Sequence, residues 1–548
     1  MRLLLFVLAS VLLVVQASAA TKADLAVEAL CNDQQRRLNP PAPKCGVDSN
    51  MGGNYTMYPG RSPIVQFDVR ACPSYWDIGY ATGRRFSTMI QTRLYVHMQR
   101  QLLWFNSSTS GQDLIPRLAA HSARRYPDYF QELCGLAAGA GVQYGEMVLN
   151  NYNDELSLML ATKEAWWRDP SQEAALNASG IFKPAQNDAE EMEAAETGPA
   201  AAHPSAGAAD AAAAASAQLG RRLKAAGAAG DAVGVAPVQM RRQLRMVTDG
   251  RPKALGREFV SKATHDGMGC SDVLIAGPRE GNITDPARTR VPLLAHNEEE
   301  SASREGALYM LIGTSGGATW VGYCYAGELC SIGNGWNSYG LAFTENYVEP
   351  AYRPFVGTGL VFLGRSLLEA RDVPDALVRL AQPDVMMGVN FNLLDRIGEG
   401  GGSIGSAEVG PFGAFAYHQV AAGEWQFHAN QYTFMDIVNY PSKISKARAD
   451  TALAFPGMPL NVSDALSILG DTSTNPALPI FFEPTYNKED ITTGTVLFSP
   501  ANRTMTVYTG NPRKRHVSFV FHLHSLNASV PLQAFTGVGG NSRTPSMA

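Results

Sequence analysis

No two cysteines in this 548-residue chain are spaced C-x-x-C, so a structural zinc site has no sequence support. Charge of either sign is hardly in excess. Lys and Arg total 45 against 50 Asp and Glu, for a net charge of -5 and a pI near 6.1. That balance provides no basic field for nucleic acid. Beyond the first twenty residues there is no apolar run of about twenty, so no later membrane span is expected. The glycine cluster from Gly398 to Gly405 lacks the Lys-Ser/Thr ending of a phosphate loop and reads as a turn beside a site. From about Lys183 to Leu255 aromatic residues are missing altogether. That stretch is Ala, Gly, acidic residues and scattered arginines, including a pure alanine run from Ala211 to Ala215. It cannot bury enough apolar area to offset its ordering entropy and is expected to be a disordered insert.

What is present points to the secretory pathway. Arg2 begins a positive n-region, Leu3 to Val15 is apolar apart from Ser10, and Ala17-Ser18-Ala19 is a signal-peptidase pattern. Seven N-x-S/T sequons follow, at Asn54, Asn106, Asn177, Asn282, Asn461, Asn502 and Asn527. The expected location is secreted, or the lumen of the secretory or lysosomal pathway. The cysteines are Cys31, Cys45, Cys72, Cys134, Cys270, Cys324 and Cys330. An odd number in an oxidising compartment leaves at least one thiol over, and the count does not say which.

Composition separates three regions after a signal peptide at 1–19. Residues 20–182 read as a helical N-terminal region. Within it Tyr75 to Trp104 carries apolar residues at helical spacing, with Gly79 and Gly83 as a small face for close packing. Tyr126 to Leu136 and Tyr144 to Trp167 read as further helices. The insert occupies 183–257. From 258 to 548 short β segments alternate with glycine-rich turns, with candidate strands at Ser271–Ala276, Pro292–His296, Ala307–Gly313, Thr319–Tyr325, Gly340–Asn346, Phe415–Gln419, Trp425–Asn430, Thr495–Phe498 and Thr504–Thr509. Thr358 to Leu380 reads as a helix or helix pair. Strands in runs with helices interposed indicate a layered α/β domain.

Cys270 stands after Gly267-Met268-Gly269, at the junction of the insert and the first strand. Were the chain cut between Gly269 and Cys270, the thiol would gain an α-amine on its own residue. With an ordinary pKa of roughly 7.7–8.0, that amine can serve as general base. Glycine before the nucleophile tolerates the backbone geometry of an N-to-S acyl shift. The competing reading of this segment alone is a buried or disulfide-bonded cysteine beside a glycine turn. Two other segments, around Ser315 and Ser403, fit G-x-S-x-G, but neither has a strand before it and a helix after it.

The segments after Cys270 are Leu293-Leu294-Ala295-His296-Asn297-Glu298-Glu299, then Asn337-Ser338-Tyr339-Gly340, Phe427-His428-Ala429-Asn430, and Ser442 to Ala452. Their order resembles the acyl-coenzyme A:6-aminopenicillanic acid acyltransferase family, which includes β-alanyl-dopamine hydrolase. The resemblance covers roughly Glu258 to Gly510, with a weaker match at Asp77 to Arg84. It implies a four-layer αββα Ntn-hydrolase fold and self-cleavage at the Gly269–Cys270 bond. An α chain and a β chain of the same precursor would then stay together, the β chain beginning at Cys270. It also implies Cys270 as nucleophile, Asn430 as oxyanion donor and Glu299 as the acidic group. Glu replaces the family's Asp at 299, so Glu298 remains an alternative there. Asn337 reads as part of a turn. No cofactor or metal is implied; the expected partner is a small-molecule amide or acyl thioester. Hydrolysis and acyl transfer both stay open, as does a non-catalytic secreted glycoprotein that keeps the fold as a scaffold.

Overall fold

The computed structural model describes residues 22–38, 45, 64–161, 269–277, 292–330, 332–350, 353–395, 402–437, 439, 443–483 and 490–526. The signal segment, the 183–257 insert and the sequons at Asn54, Asn177, Asn282 and Asn527 lie outside these residues. Of the other sequons, Asn106 and Asn502 are exposed, whereas Asn461 is half-buried and caps a helix.

The N-terminal part is built on helices, as its periodicity predicts. They are α1 (Lys22–Leu38), α2 (Tyr75–Arg85), α3 (Ser87–Thr92), α4 (Gln99–Ser107), α5 (Thr109–Arg125), α6 (Pro127–Ala140), α7 (Tyr144–Asn151) and α8 (Asn153–Ala161). Ser74 caps α2 by accepting from the Asp77 amide, and Gly141, at φ 68°, ends α6. The small face read from Gly79 and Gly83 meets Gly135 and Gly139 of α6. A Cβ at Gly79 would strike the Glu132 carbonyl, and one at Gly135 the Trp76 carbonyl, so the two backbones touch. The expected helix over 75–104 is broken into α2, α3, a π turn at Arg93–His97 and α4. From that turn buried Arg93 reaches Asn150 at 2.9 Å and Glu328 at 2.5 Å.

Fourteen strands are described. The N-terminal part supplies β1 (Val65–Asp68), and β2 (Ser271–Ile275), β3 (Leu293–Ser301), β4 (Leu308–Ser315), β5 (Ala318–Tyr325), β6 (Asn334–Asn337) and β7 (Ala342–Val348) follow Cys270. After helices α9 (Leu360–Leu367) and α10 (Val373–Leu380) come β8 (Gly388–Leu394), β9 (Ile404–Val409), β10 (Phe415–Gln419) and β11 (Trp425–His428). Helices α11 (Lys443–Leu453) and α12 (Val462–Leu469) precede β12 (Asp490–Ser499), β13 (Thr504–Tyr508) and β14 (Val517–His522). One sheet runs β1-β4-β5-β6-β7-β8-β9-β10, the other β11-β2-β3-β12-β13-β14. Only β1–β4 is a parallel pair among those described. Through it the N-terminal part closes an edge of the larger sheet rather than standing apart.

The two sheets face each other. Tyr323 of β5 donates to Thr493 of β12, and Thr344 and Asn346 of β7 donate to Asp272 of β2. Behind the smaller sheet, Val273, Ile275, Leu293 and Ala295 pack against Ala452 of α11 and Leu466 and Leu469 of α12. Behind the larger sheet, Arg365 of α9 lies over the Trp320 ring and pairs with Glu132 of α6 at 2.8 Å. The layers are therefore helix, sheet, sheet, helix, and the α/β fold class expected from the sequence is the one observed.

Six cysteines form disulfides: Cys31–Cys134, Cys45–Cys72 and Cys324–Cys330. These bridges suit an oxidising, non-cytosolic compartment. The leftover thiol is Cys270. No described helix is long and apolar enough to cross a membrane.

Candidate active site

Cys270 is the last residue before β2, and strand alternation sets what surrounds it. Cys270 and the preceding Gly269 are both buried. Side chains at 270 and 272 share one face of the smaller sheet with His296 and Glu298 of β3, because Asp272 is paired with His296 in register. Ser271 and Glu299 share the opposite face, toward α11. Two polar clusters thus flank one residue, one on its thiol and one on its backbone.

On the backbone side, the Cys270 amide donates to Asn430 Oδ1 at 3.0 Å. Arg448 of α11, itself buried, ties that side together. Its Nη1 donates to the Cys270 carbonyl (2.9 Å), Ser271 Oγ (2.8 Å) and Glu299 Oε2 (2.6 Å), and its Nη2 to Asn430 Oδ1 (2.7 Å). Asn430 is anchored in turn by Ser445, which accepts from its amide, and by the Tyr347 carbonyl, which accepts from its Nδ2. A Cβ on residue 269 would collide with Asn430 and Arg448, so glycine there is a spatial requirement. Burial pushes the Glu299 carboxyl up to about 8, against the opposing pull of Arg448 and His296.

On the thiol side, Asp272 is fully enclosed and accepts from Thr344 (2.6 Å), Asn346 (2.6 Å) and His296 Nδ1 (3.1 Å). His296 Nε2 meets Glu298 at 2.9 Å, and Tyr325 donates its hydroxyl to the other Glu298 oxygen. The Cys270 sulfur, an imidazole nitrogen of His296 and a carboxylate oxygen of Glu298 all lie within 4.8 Å of one another. Burial, then the charge of Glu298, raises the thiol pKa well above its ordinary value; His296 opposes them. For His296, burial alone would lower the pKa. The Asp272 carboxylate, and hydrogen bonds to Asp272, Cys270 and Glu298, raise it well above the ordinary value instead.

The sequence-predicted residues Cys270, Asn430 and Glu299 thus converge on one site. Next to the intact peptide, Asn430 presents its carbonyl oxygen to Cys270, because a buried peptide N–H needs an acceptor. The nitrogen expected to serve an oxyanion is held by Tyr347. The two rival serines are not nucleophile elbows. Ser315 ends β4 before the hairpin turn into β5, and its hydroxyl donates to Glu369 at 2.6 Å. Ser403 leads into β9 with no helix behind it. Asn337, expected in a turn, is the last residue of β6, and its Oδ1 accepts from the Tyr339 and Leu341 amides of the turn that follows. Sequence reasoning did not single out His296, Asp272 or Arg448 as site residues. The available signal was a strand, β3, that keeps His, Asn and Glu residues buried at successive positions.

Two facing sheets lie between helical layers in an αββα arrangement, with a free cysteine at the head of an inner strand. Residues 287–514 match the family model described as acyl-coenzyme A:6-aminopenicillanic acid acyl-transferase. The match bears out the resemblance read from the sequence; it takes in Glu298, Glu299, Asn430 and Arg448 and begins beyond Cys270. Among solved structures, the chain is similar to a Caenorhabditis elegans N-acylethanolamine-hydrolyzing acid amidase ortholog. Sequence identity there is 8%, coverage is 42% of this chain and 92% of that one, and the TM-score is 0.29. No curated protein matches the chain.

Proposed function

We propose that the chain is a self-cleaving Ntn amidohydrolase of the secretory or lysosomal lumen, with Cys270 as nucleophile. The observation that carries this reading is the placement of the one unpaired cysteine. It heads β2 with its N–H donating to Asn430, its carbonyl accepting from Arg448, and its thiol against His296 and Glu298. Cleavage after Gly269 frees the α-amine where Asn430 Oδ1 already receives the peptide N–H, and Arg448 and Glu299 stand beside it. The amine then takes the thiol proton, and sulfur attacks the carbonyl carbon of a small-molecule amide. In turnover Asn430 Nδ2 exchanges the Tyr347 carbonyl for the substrate oxyanion; one well-aimed donor of this kind is worth about 3–4 kcal/mol. The amine leaves, a thioester remains on Cys270, and water releases the acid. An acyl thioester with an amine acceptor runs the same chemistry as acyl transfer.

Purified matured protein, incubated with a panel of N-acylated amines and acyl thioesters, tests this reading. The expected result is a mass increase of one acyl group on the fragment beginning at Cys270, together with release of the amine. Matured protein that never acquires an acyl group from any panel member would overturn it. Acylation from thioesters alone, with amide formation, would turn the reading from hydrolase to acyltransferase.

A further inference from the structure

Before the Gly269–Cys270 bond is cut there is no α-amine, because that nitrogen is a peptide N–H donating to Asn430. The first attack of the sulfur therefore needs a different base from every later attack. Burial and the Glu298 charge push the thiol pKa up, which favours the protonated form and calls for a base. Glu299 cannot supply the base directly. It sits on the opposite face of β3, against Arg448 and Ser271. His296 is engaged at both ring nitrogens, Nδ1 at 3.1 Å from Asp272 and Nε2 at 2.9 Å from Glu298, and these carboxylates raise its pKa, which favours giving a proton over taking one. Glu298 is on the correct face, with a carboxylate oxygen within 4.8 Å of the sulfur. Three features fix that carboxylate: His296 holds one oxygen, Tyr325 the other, and Gly333 leaves the space it fills, since a Cβ there would strike Glu298.

Building on the self-cleavage reading above, we propose that Glu298 is the base of the self-cleavage step alone, and that the α-amine replaces it once the bond is cut. The Cys270 thiol proton passes to Glu298 as sulfur bonds to the Gly269 carbonyl carbon. The tetrahedral oxyanion collapses, the carbon–nitrogen bond breaks, and the departing nitrogen takes the proton held by Glu298 to become the amine, returning Glu298 to its carboxylate. Water then cleaves the Gly269 thioester, giving the Gly269 carboxylate and restoring the thiol. His296 acts as a positioning residue: held by Asp272, it aims Glu298 and places positive charge beside the forming thiolate. Glu298 serves the sulfur and Glu299 the nitrogen, which is why consecutive acidic residues both stay buried.

The experiment uses the full chain and two readouts. Glu298→Gln keeps the shape and both hydrogen-bond partners but removes the base. Its self-cleavage is expected to slow by roughly 10²–10⁴-fold, the usual scale of general-base loss. Given time to cut to completion, its matured thiol should react with iodoacetamide no more slowly than the native thiol, since the amine now takes the proton and the Glu298 charge that raised the thiol pKa is gone. Cutting at the native rate overturns the proposal. So does a matured thiol slowed as strongly as the cutting, which would mark Glu298 as general scaffolding. If Glu298→Gln never cuts or fails to fold, Tyr325→Phe, which loosens the carboxylate without removing it, must show the same split between slowed cutting and unchanged alkylation. Native protein that never cuts, or a Cys270→Ala chain that does, refutes the self-cleavage reading itself and is distinguishable from these outcomes.

Discussion

Glu155 offers a quantitative test of how burial tunes this molecule. It lies on α8, buried, with Oε1 accepting from the Leu360 amide at 2.8 Å at the start of α9. Burial first, then the charge of Asp154, pushes its carboxyl up to about 8 from an ordinary 4.5. The folded chain therefore keeps a proton that the unfolded chain loses near 4.5. Stability from this group is fully present below that pH and is lost as the pH rises toward 8. A displacement of about 3.5 units, at about 1.4 kcal/mol each, sets a ceiling on the order of 5 kcal/mol. Glu155→Gln keeps the acceptor for Leu360 and removes the titration. At pH 5 native and variant should melt within a degree or two of each other. At pH 8 the variant should melt higher by roughly 5–10 °C, given a few degrees per kcal/mol. Glu299 and Glu300 are also pushed up to about 8, mainly by burial, so the native protein as a whole should lose stability from pH 5 to 8. Thermal midpoints by differential scanning fluorimetry at half-unit pH steps provide the assay. Native and variant curves that run parallel across this window would refute the reasoning.

Arg448→Met should destabilise the fold by about 2–5 kcal/mol, because the buried Cys270 carbonyl and Asn430 Oδ1 each lose a donor, at about 1–3 kcal/mol apiece. A urea midpoint at pH 7 measures it. Gly269→Ala should slow self-cleavage by roughly 100-fold, the scale of an ångström's misplacement of reacting groups. In it the new methyl pushes into Asn430 and Arg448, and a time course on denaturing gels reads the result.

Much of the fold was legible because its strands carry periodic signals. The expected strand at 415–419 is observed with the same bounds, and those around Ser271 and Thr504 differ by one residue at one end. What escaped was polar structure between the sheets. Asn390 and Asn392 of β8 and Ser406 of β9 hydrogen-bond to one another and to Asn346, so both strands are buried while reading as polar, turn-prone sequence. The strand expected to end at His296 runs on to Ser301 for the same reason. Glu299 and Glu298 are buried by Arg448 and Tyr325, which are distant in sequence, with His296 of the same strand holding Glu298 as well. Local composition assigns such a run to a solvated turn. At the site, Cys270, Asn430 and Glu299 were reached through order and resemblance, whereas Arg448 and Asp272 become visible only when the layers are stacked.

The central claim rests on a single bond. Protein recovered from a secretory expression system should yield, by intact mass and N-terminal sequencing, two fragments, the second beginning at Cys270. The Cys270→Ala chain should remain whole. An intact native chain through Gly269–Cys270, or a Cys270→Ala chain cut at the same place, would contradict it.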